Sequence, residues 1–178
     1  MSKQDPRDLW QHRGQQRPAF AKLPGPGQES VWDYPRPPCI VLDKRTIEVH
    51  CGADRLVHST KTLRILETAS PPTVYIPQTD INMEMLEICP GRSFCEWKGA
   101  AQYLAVKTAP ELGAIAWWYP EPNGEFEQIR EHLSFYPAKV ACSIDGERVR
   151  PQSGGFYGGW VTQEIVGPYK GEPGTEGW

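Results

Sequence analysis

The residues richest in chemistry form one stretch, Ser93-Phe94-Cys95-Glu96-Trp97-Lys98-Gly99-Ala100-Ala101-Gln102-Tyr103, which sets a thiol, an ammonium, a glycine and large aromatics between apolar runs. Cys95 and Lys98 stand three positions apart. A tight turn there brings the ammonium to the sulfur, and a neighbouring cation favours thiolate over thiol. Gly99 lets the chain bend or a ligand approach the backbone, because it has no Cβ. The competing reading is a buried structural cysteine, a surface lysine and a turn glycine, since free cysteine is among the most buried residue types. Cys95 and Lys98 are therefore catalytic candidates for a reaction that these residues do not name.

Aromatic residues supply the second signal. Trp97, Tyr103, Trp117, Trp118, Tyr119, Phe135 and Tyr136 crowd into one region of the chain. They either fill a core or wall a concave pocket, the usual form of a small-molecule site. Adjacent residues of a strand face opposite sides, so Trp117 and Trp118 cannot both line it. The expected ligand-binding set is Arg64, Glu67, Cys95, Lys98, Tyr103, Trp118 and Tyr136. Lys98 and Arg64 would hold an anion, or the aromatic faces a cation.

Other centres fit poorly. The five cysteines show no tight pair; the nearest, Cys89 and Cys95, have five residues between them, whereas structural zinc sites use pairs two to four apart. No metal is expected, and no cofactor is assigned. A Cys–His pair is formally open, with His50, His58 or His132 as base, yet nothing in the sequence brings an imidazole to Cys95. The glycine run Gly154 to Gly159 is interrupted by Phe156 and Tyr157 and has no helix after it, so it does not read as a phosphate loop. Nucleotidyl transfer needs clustered carboxylates for its metal ions, and no Asp-x-Asp pair occurs.

The elements that must position these residues are short. Runs such as Cys39–Leu42, Thr46–His50, Arg55–His58, Thr62–Leu66 and Thr73–Ile76 read as strands between turns. Asp43-Lys44-Arg45 predicts a hairpin between the first two. Ala100–Val106 and Ala114–Tyr119 read as core strands. Asp80–Leu86 is open between a helical turn and a strand. Phe126, Ile129 and Leu133 fall on one helical stripe and predict a helix over 125–136, closed by Pro137. Asp145-Gly146 signals a type I′ turn between Val140–Ile144 and Glu147–Val149. The reading is a mainly β fold: a small antiparallel barrel or tent-like domain over 38–150, with one short helix. Irregular arms flank it, a Pro/Gly-rich 1–37 and a Gly/aromatic-rich 151–178 packed on the domain.

The chain has 178 residues and a net charge of −3, which suits one domain and argues against nucleic-acid binding. No apolar run spans a bilayer, and the first residues carry no apolar signal segment. Five cysteines without a secretory signal point to reduced thiols in a cytoplasm. A small-molecule ligand is the expected partner, with neither nucleic acid nor membrane; the oligomeric state stays open, a homodimer included.

Five motifs carry a resemblance. Leu63-Arg-Ile-Leu-Glu-Thr68 before Pro71-Pro72, Tyr75-Ile-Pro77 before Asp80, Ser93-Phe-Cys-Glu-Trp-Lys-Gly99, Ala116-Trp-Trp-Tyr-Pro120 and Leu133-Ser-Phe-Tyr-Pro137 resemble the domain of unknown function DUF427, in order over roughly 38–150. The flanks, from Pro24 to Pro35 and from Gly154 to Gly171, resemble the extended form found in bacteria and plants. The resemblance implies an all-β fold like the β-tent of methionine sulfoxide reductase B and of the drug-binding domain of cereblon. Those relatives often hold zinc on Cys-x-x-Cys pairs, which are missing here. A nucleotidyltransferase-like label also attaches to the family and implies a transferase. Three functions are thus carried forward: a small-ligand-binding domain with an enzymatic role open, a structural or protein-interaction module, and more weakly a transferase.

Overall fold

The computed structural model describes residues 5–178. Short runs bounded by Gly, Pro and Asp become strands, because each can bury a face only against neighbours. In chain order the principal strands are β1 (Cys39–Asp43), β2 (Ile47–Cys51), β3 (Asp54–Ser59), β4 (Thr62–Glu67), β5 (Ser70–Pro77), β6 (Leu86–Cys95), β7 (Gly99–Val106), β8 (Ala116–Trp118), β9 (His132–Phe135), β10 (Ala141–Ile144) and β11 (Glu147–Arg148). Seven form one sheet in the order β1-β4-β5-β9-β8-β7-β6, and four form a second in the order β11-β10-β2-β3. Every pairing within these two sheets is antiparallel. The fold is mainly β and sandwich-like; among the described residues neither sheet closes into a barrel.

Side-chain parity decides what goes where. Val74 and Ile76 of β5, Leu104 and Val106 of β7, and Leu133 and Phe135 of β9 face the four-stranded sheet and meet Ile47, Val49, Leu56 and Val57. The alternate residues, Ile65, Tyr75, Ala101 and Trp117, face the other way and gather a second cluster with Trp97, Tyr119, Phe126 and Ile129. The large sheet is therefore buried on both faces. Its outer face carries the candidate site.

Both flanking segments lie against this frame. Glu29–Ser30 pairs in parallel with Ile165–Val166, and Arg150–Pro151 pairs antiparallel with Trp160–Val161. Trp32 is 1% exposed and donates its indole N–H to the Pro168 carbonyl at 3.0 Å. Arg36 is buried, and its guanidinium donates to Glu67 Oε1 and to the backbone oxygens of His12 and Thr68.

Two local expectations are corrected. The helix over 125–136 is instead a 3-10 stretch, Gly124–Ile129, broken at Phe126, followed by β9. The stripe ended at Ile129 because Leu133 and Phe135 also alternate. The sheet offers Leu133 two hydrogen-bonded neighbour strands, opposite Trp118 and Ile76, and tertiary pairing wins over a short stripe. The hairpin at Asp43-Lys44-Arg45 is instead a corner between sheets: β1 pairs with β4, and β2 with β3 and β10. Asp43 is buried and accepts from the Arg45 backbone and guanidinium, and Arg45 also pairs with Glu164. Elsewhere the local chemistry reads true. Asp145 and Gly146 have φ of 48° and 82°, the type I′ signature, between β10 and β11. Residues 78–86 resolve into 3-10 turns at Gln78–Asp80 and Met83–Met85.

Candidate functional site

Cys95 pairs with Gly99 across the β6–β7 hairpin, so Glu96, Trp97 and Lys98 form a three-residue turn. Gly99 closes it at φ 100°, a conformation L side chains rarely adopt. The loop after β8 clamps this turn: Asn123 donates its backbone N–H to Lys98 O at 3.1 Å and its side chain to Trp97 O at 2.6 Å. That clamp turns Lys98 inward. It is 8% exposed, with its ammonium 5.9 Å from the Tyr119 ring centre and 6.0 Å from that of Phe126.

The turn forms one wall of a cleft of about 240 Å³ on the outer face of the large sheet. The sheet contributes Tyr75, Tyr103 and Trp117 as its floor, and Glu67 stands at the end of β4. Trp10 comes from the N-terminal segment, while Tyr157, Gly158 and Lys170 come from the C-terminal one. Hydrogen bonds fix the floor: Trp117 Nε1 donates to Tyr75 OH at 3.2 Å, and Tyr103 OH donates to Ser93 Oγ at 2.7 Å. The Trp117 and Tyr136 rings lie 4.4 Å apart. Gly158 packs on Trp117 so closely that a Cβ would sit 2.1 Å from the indole edge. Only glycine fits there.

Charge is unevenly matched in this cleft. Glu67 pairs with Arg36 at 3.2 Å, and Glu96 accepts the Trp10 indole N–H at 3.0 Å. Lys98 and Lys170 form no ion pair among the described residues. Lys170 is 5% exposed; its ammonium lies 3.5 Å from the Trp10 ring centre and donates to the Trp178 backbone oxygen at 3.4 Å. Burial and the nearby Arg36 push the Lys170 pKa down to about 8, against the pull of Glu67, Glu96 and Glu176. Burial works the same way on Lys98, but Tyr75, Cys95 and Glu67 around it outweigh that and hold its pKa above the ordinary lysine value. A buried ion costs several kcal/mol, whereas a cation–π contact returns on the order of 0.5–2 kcal/mol. Aromatic contact alone does not balance two buried ammonium groups.

The remaining groups are donors and soft nucleophiles. Burial raises the phenols of Tyr75, Tyr119, Tyr136 and Tyr157, which keeps them protonated at neutral pH. Cys95 is half-buried and lines the cleft. Burial pushes the thiols of Cys51, Cys89 and Cys142 up. Trp97, 2% exposed, lines the cleft with its indole N–H unpaired among the described residues.

Of the residues singled out in the sequence, Cys95, Lys98, Glu67, Tyr103 and Tyr136 all border this cleft. Arg64 and Trp118 do not. Leu63 and Ile65 face the cleft side, so Arg64 between them points away, and its guanidinium binds Glu29 at 2.6 Å and 3.2 Å. Trp118 shares parity with Ala116 and packs on the core between the sheets, leaving Trp117 as the cleft's tryptophan. Sequence reasoning missed Lys170, Trp10 and Tyr157 because they come from opposite chain ends. The signal that could have found Trp10 and Tyr157 is the cost of large aromatics in Pro/Gly-rich segments; Lys170 carries no such signal. Among the described residues no three of His, Cys, Asp and Glu come together to hold a metal ion. No described helix is long and apolar enough to cross a membrane.

Fold and site together define a two-sheet antiparallel β domain with an aromatic, lysine-bearing cleft on its outer face. A profile of the domain of unknown function DUF427 matches residues 39–146, well over half of the chain, and the chain belongs to that family. A search of curated proteins returned no match.

Proposed function

We propose that this DUF427 chain is a cytoplasmic small-ligand-binding β domain whose ligand occupies the cleft bordered by Cys95, Lys98, Tyr103, Trp117 and Lys170. One observation carries the reading: a concave aromatic site encloses two buried ammonium groups that have no carboxylate of their own. A site that merely filled space would place aliphatic residues there, because burying an ammonium group carries a desolvation cost. Cys95 and Lys98 are its candidate catalytic pair. Five unpaired cysteines support a reducing compartment.

The test is a melting-temperature screen of small aromatic compounds against the protein and a Thr73→Trp variant. Thr73 lines the cleft, and an indole there obstructs it. Compounds that stabilise the parent protein should lose their effect on the variant. Hits that stabilise both equally would contradict the reading.

A protein-interaction role is the second reading, favoured by the free outer edge of β6, where Ile88 and Phe94 are 67% and 74% exposed. Exposed apolar edge strands pair readily with another chain. Sedimentation of an Ile88→Lys/Phe94→Lys variant separates the readings. Loss of self-association or of a protein partner supports this second one, and an unchanged assembly state leaves the edge without a role.

A further inference from the structure

We propose that the cleft takes a flat ligand with an anionic head group, a carboxylate or a phosphate, the head on Lys98 and Lys170 and the body against the Trp117 and Tyr136 rings. The inference rests on the ligand-binding reading and adds the class of ligand. Lys98 and Lys170 both line this cleft, one from the β6–β7 turn and one from the C-terminal segment. Both are nine-tenths buried or more, and neither is paired with a carboxylate among the described residues. The two carboxylates bordering the cleft act on these lysines only through space, since Glu67 pairs directly with Arg36 and Glu96 accepts the Trp10 indole N–H.

The donor inventory points the same way. Besides two ammonium groups, the buried Trp97 indole N–H has no acceptor among the described residues. The buried phenols remain protonated and add further hydrogens to donate. Two ammonium groups without an ion-pair partner and one indole N–H without an acceptor suit an acceptor-rich group, and carboxylates and phosphates carry the most acceptor capacity per atom. A ligand cation is disfavoured, because lysines already occupy the aromatic faces: Lys98 sits over Tyr119 and Phe126, and Lys170 over Trp10 and Tyr157. The body of the ligand is set by the floor. Trp117 and Tyr136 both line the cleft with their rings 4.4 Å apart, and aromatic walls suit a flat aromatic body.

Calorimetric titration of the full chain with four probes sharing one bicycle tests this: 1-naphthoate, 1-naphthyl phosphate, 1-naphthalenemethanol and 1-naphthylmethylamine. At least one of the two anions should bind tenfold or more tightly than the alcohol, with the amine weakest; the tighter anion identifies the head group. Lys98→Met and Lys170→Met should each weaken the anion about tenfold and leave the alcohol unchanged. Equal binding of the alcohol or the amine overturns the anionic class while the cleft remains a ligand site. If none of the four binds at millimolar concentration, the ligand-binding reading falls with it. The ranking on the unaltered protein decides the matter even where a lysine variant fails to fold.

Discussion

At the scale of single residues, Cys95, Lys98 and Lys170 bring a thiol and two ammonium groups to one cleft. Lys170 titrates near pH 8 and is faced by Arg36, Glu67, Glu96, Glu176 and the Tyr157 phenol. An anion binds its ammonium form more tightly, so binding is linked to proton uptake. Affinity for 1-naphthoate should be full below about pH 8 and fall as pH rises through that value. Lys170→Met should abolish the step. A pH-independent affinity in the parent protein would remove Lys170 from the ligand's contacts. Cys95 makes a second residue-scale prediction. It borders the cleft beside Lys98, whereas burial holds the thiols of Cys51, Cys89 and Cys142 up. Iodoacetamide followed by peptide mapping should modify Cys95 first in the native protein, more slowly in Lys98→Met. First modification at Cys39 or Cys89 would make Cys95 a packing residue.

At the scale of elements, what was legible followed from parity and turn chemistry. The strands carrying Tyr75 and Tyr103 are short apolar runs, and Asp145-Gly146 demands its turn, so both could be read locally. The segment 125–136 could not, because Leu133 completes a helix stripe with Phe126 and Ile129 and equally a strand face with Phe135, and only the neighbours Trp118 and Ile76 decide. The same blindness put Trp118 and not Trp117 into the site: parity says that they separate, but not which side is the cleft. The division into a domain with two ordered arms also belongs here as a proposal. Arg36 is its most testable joint, since its buried guanidinium ties the 1–37 segment to Glu67 and Thr68. Arg36→Met removes charged hydrogen bonds and leaves Glu67 without its partner, for a loss of about 3 kcal/mol in urea unfolding. A loss below about 0.5 kcal/mol would show that the segment contributes little to the domain.

At the scale of the whole molecule, the chain folds its two ends onto one face of a central sheet and so completes a cleft that no single segment contains. The β6–β7 turn was readable as a chemical hot spot because Cys95 and Lys98 are close in sequence. Lys170, 72 positions beyond Lys98, was not, since only the packing of the C-terminal segment brings it there. The measurement that bears most directly on the central claim uses the seven tryptophans as reporters. In a ¹⁵N–¹H spectrum of the indole N–H groups, Trp10, Trp97 and Trp117 border the cleft, while Trp32 and Trp160 are buried away from it. Titration with 1-naphthoate should shift the first three and leave the signals of Trp32 and Trp160 in place. If Trp32 and Trp160 shift while the cleft indoles stay still, the ligand binds elsewhere and the cleft is not the site.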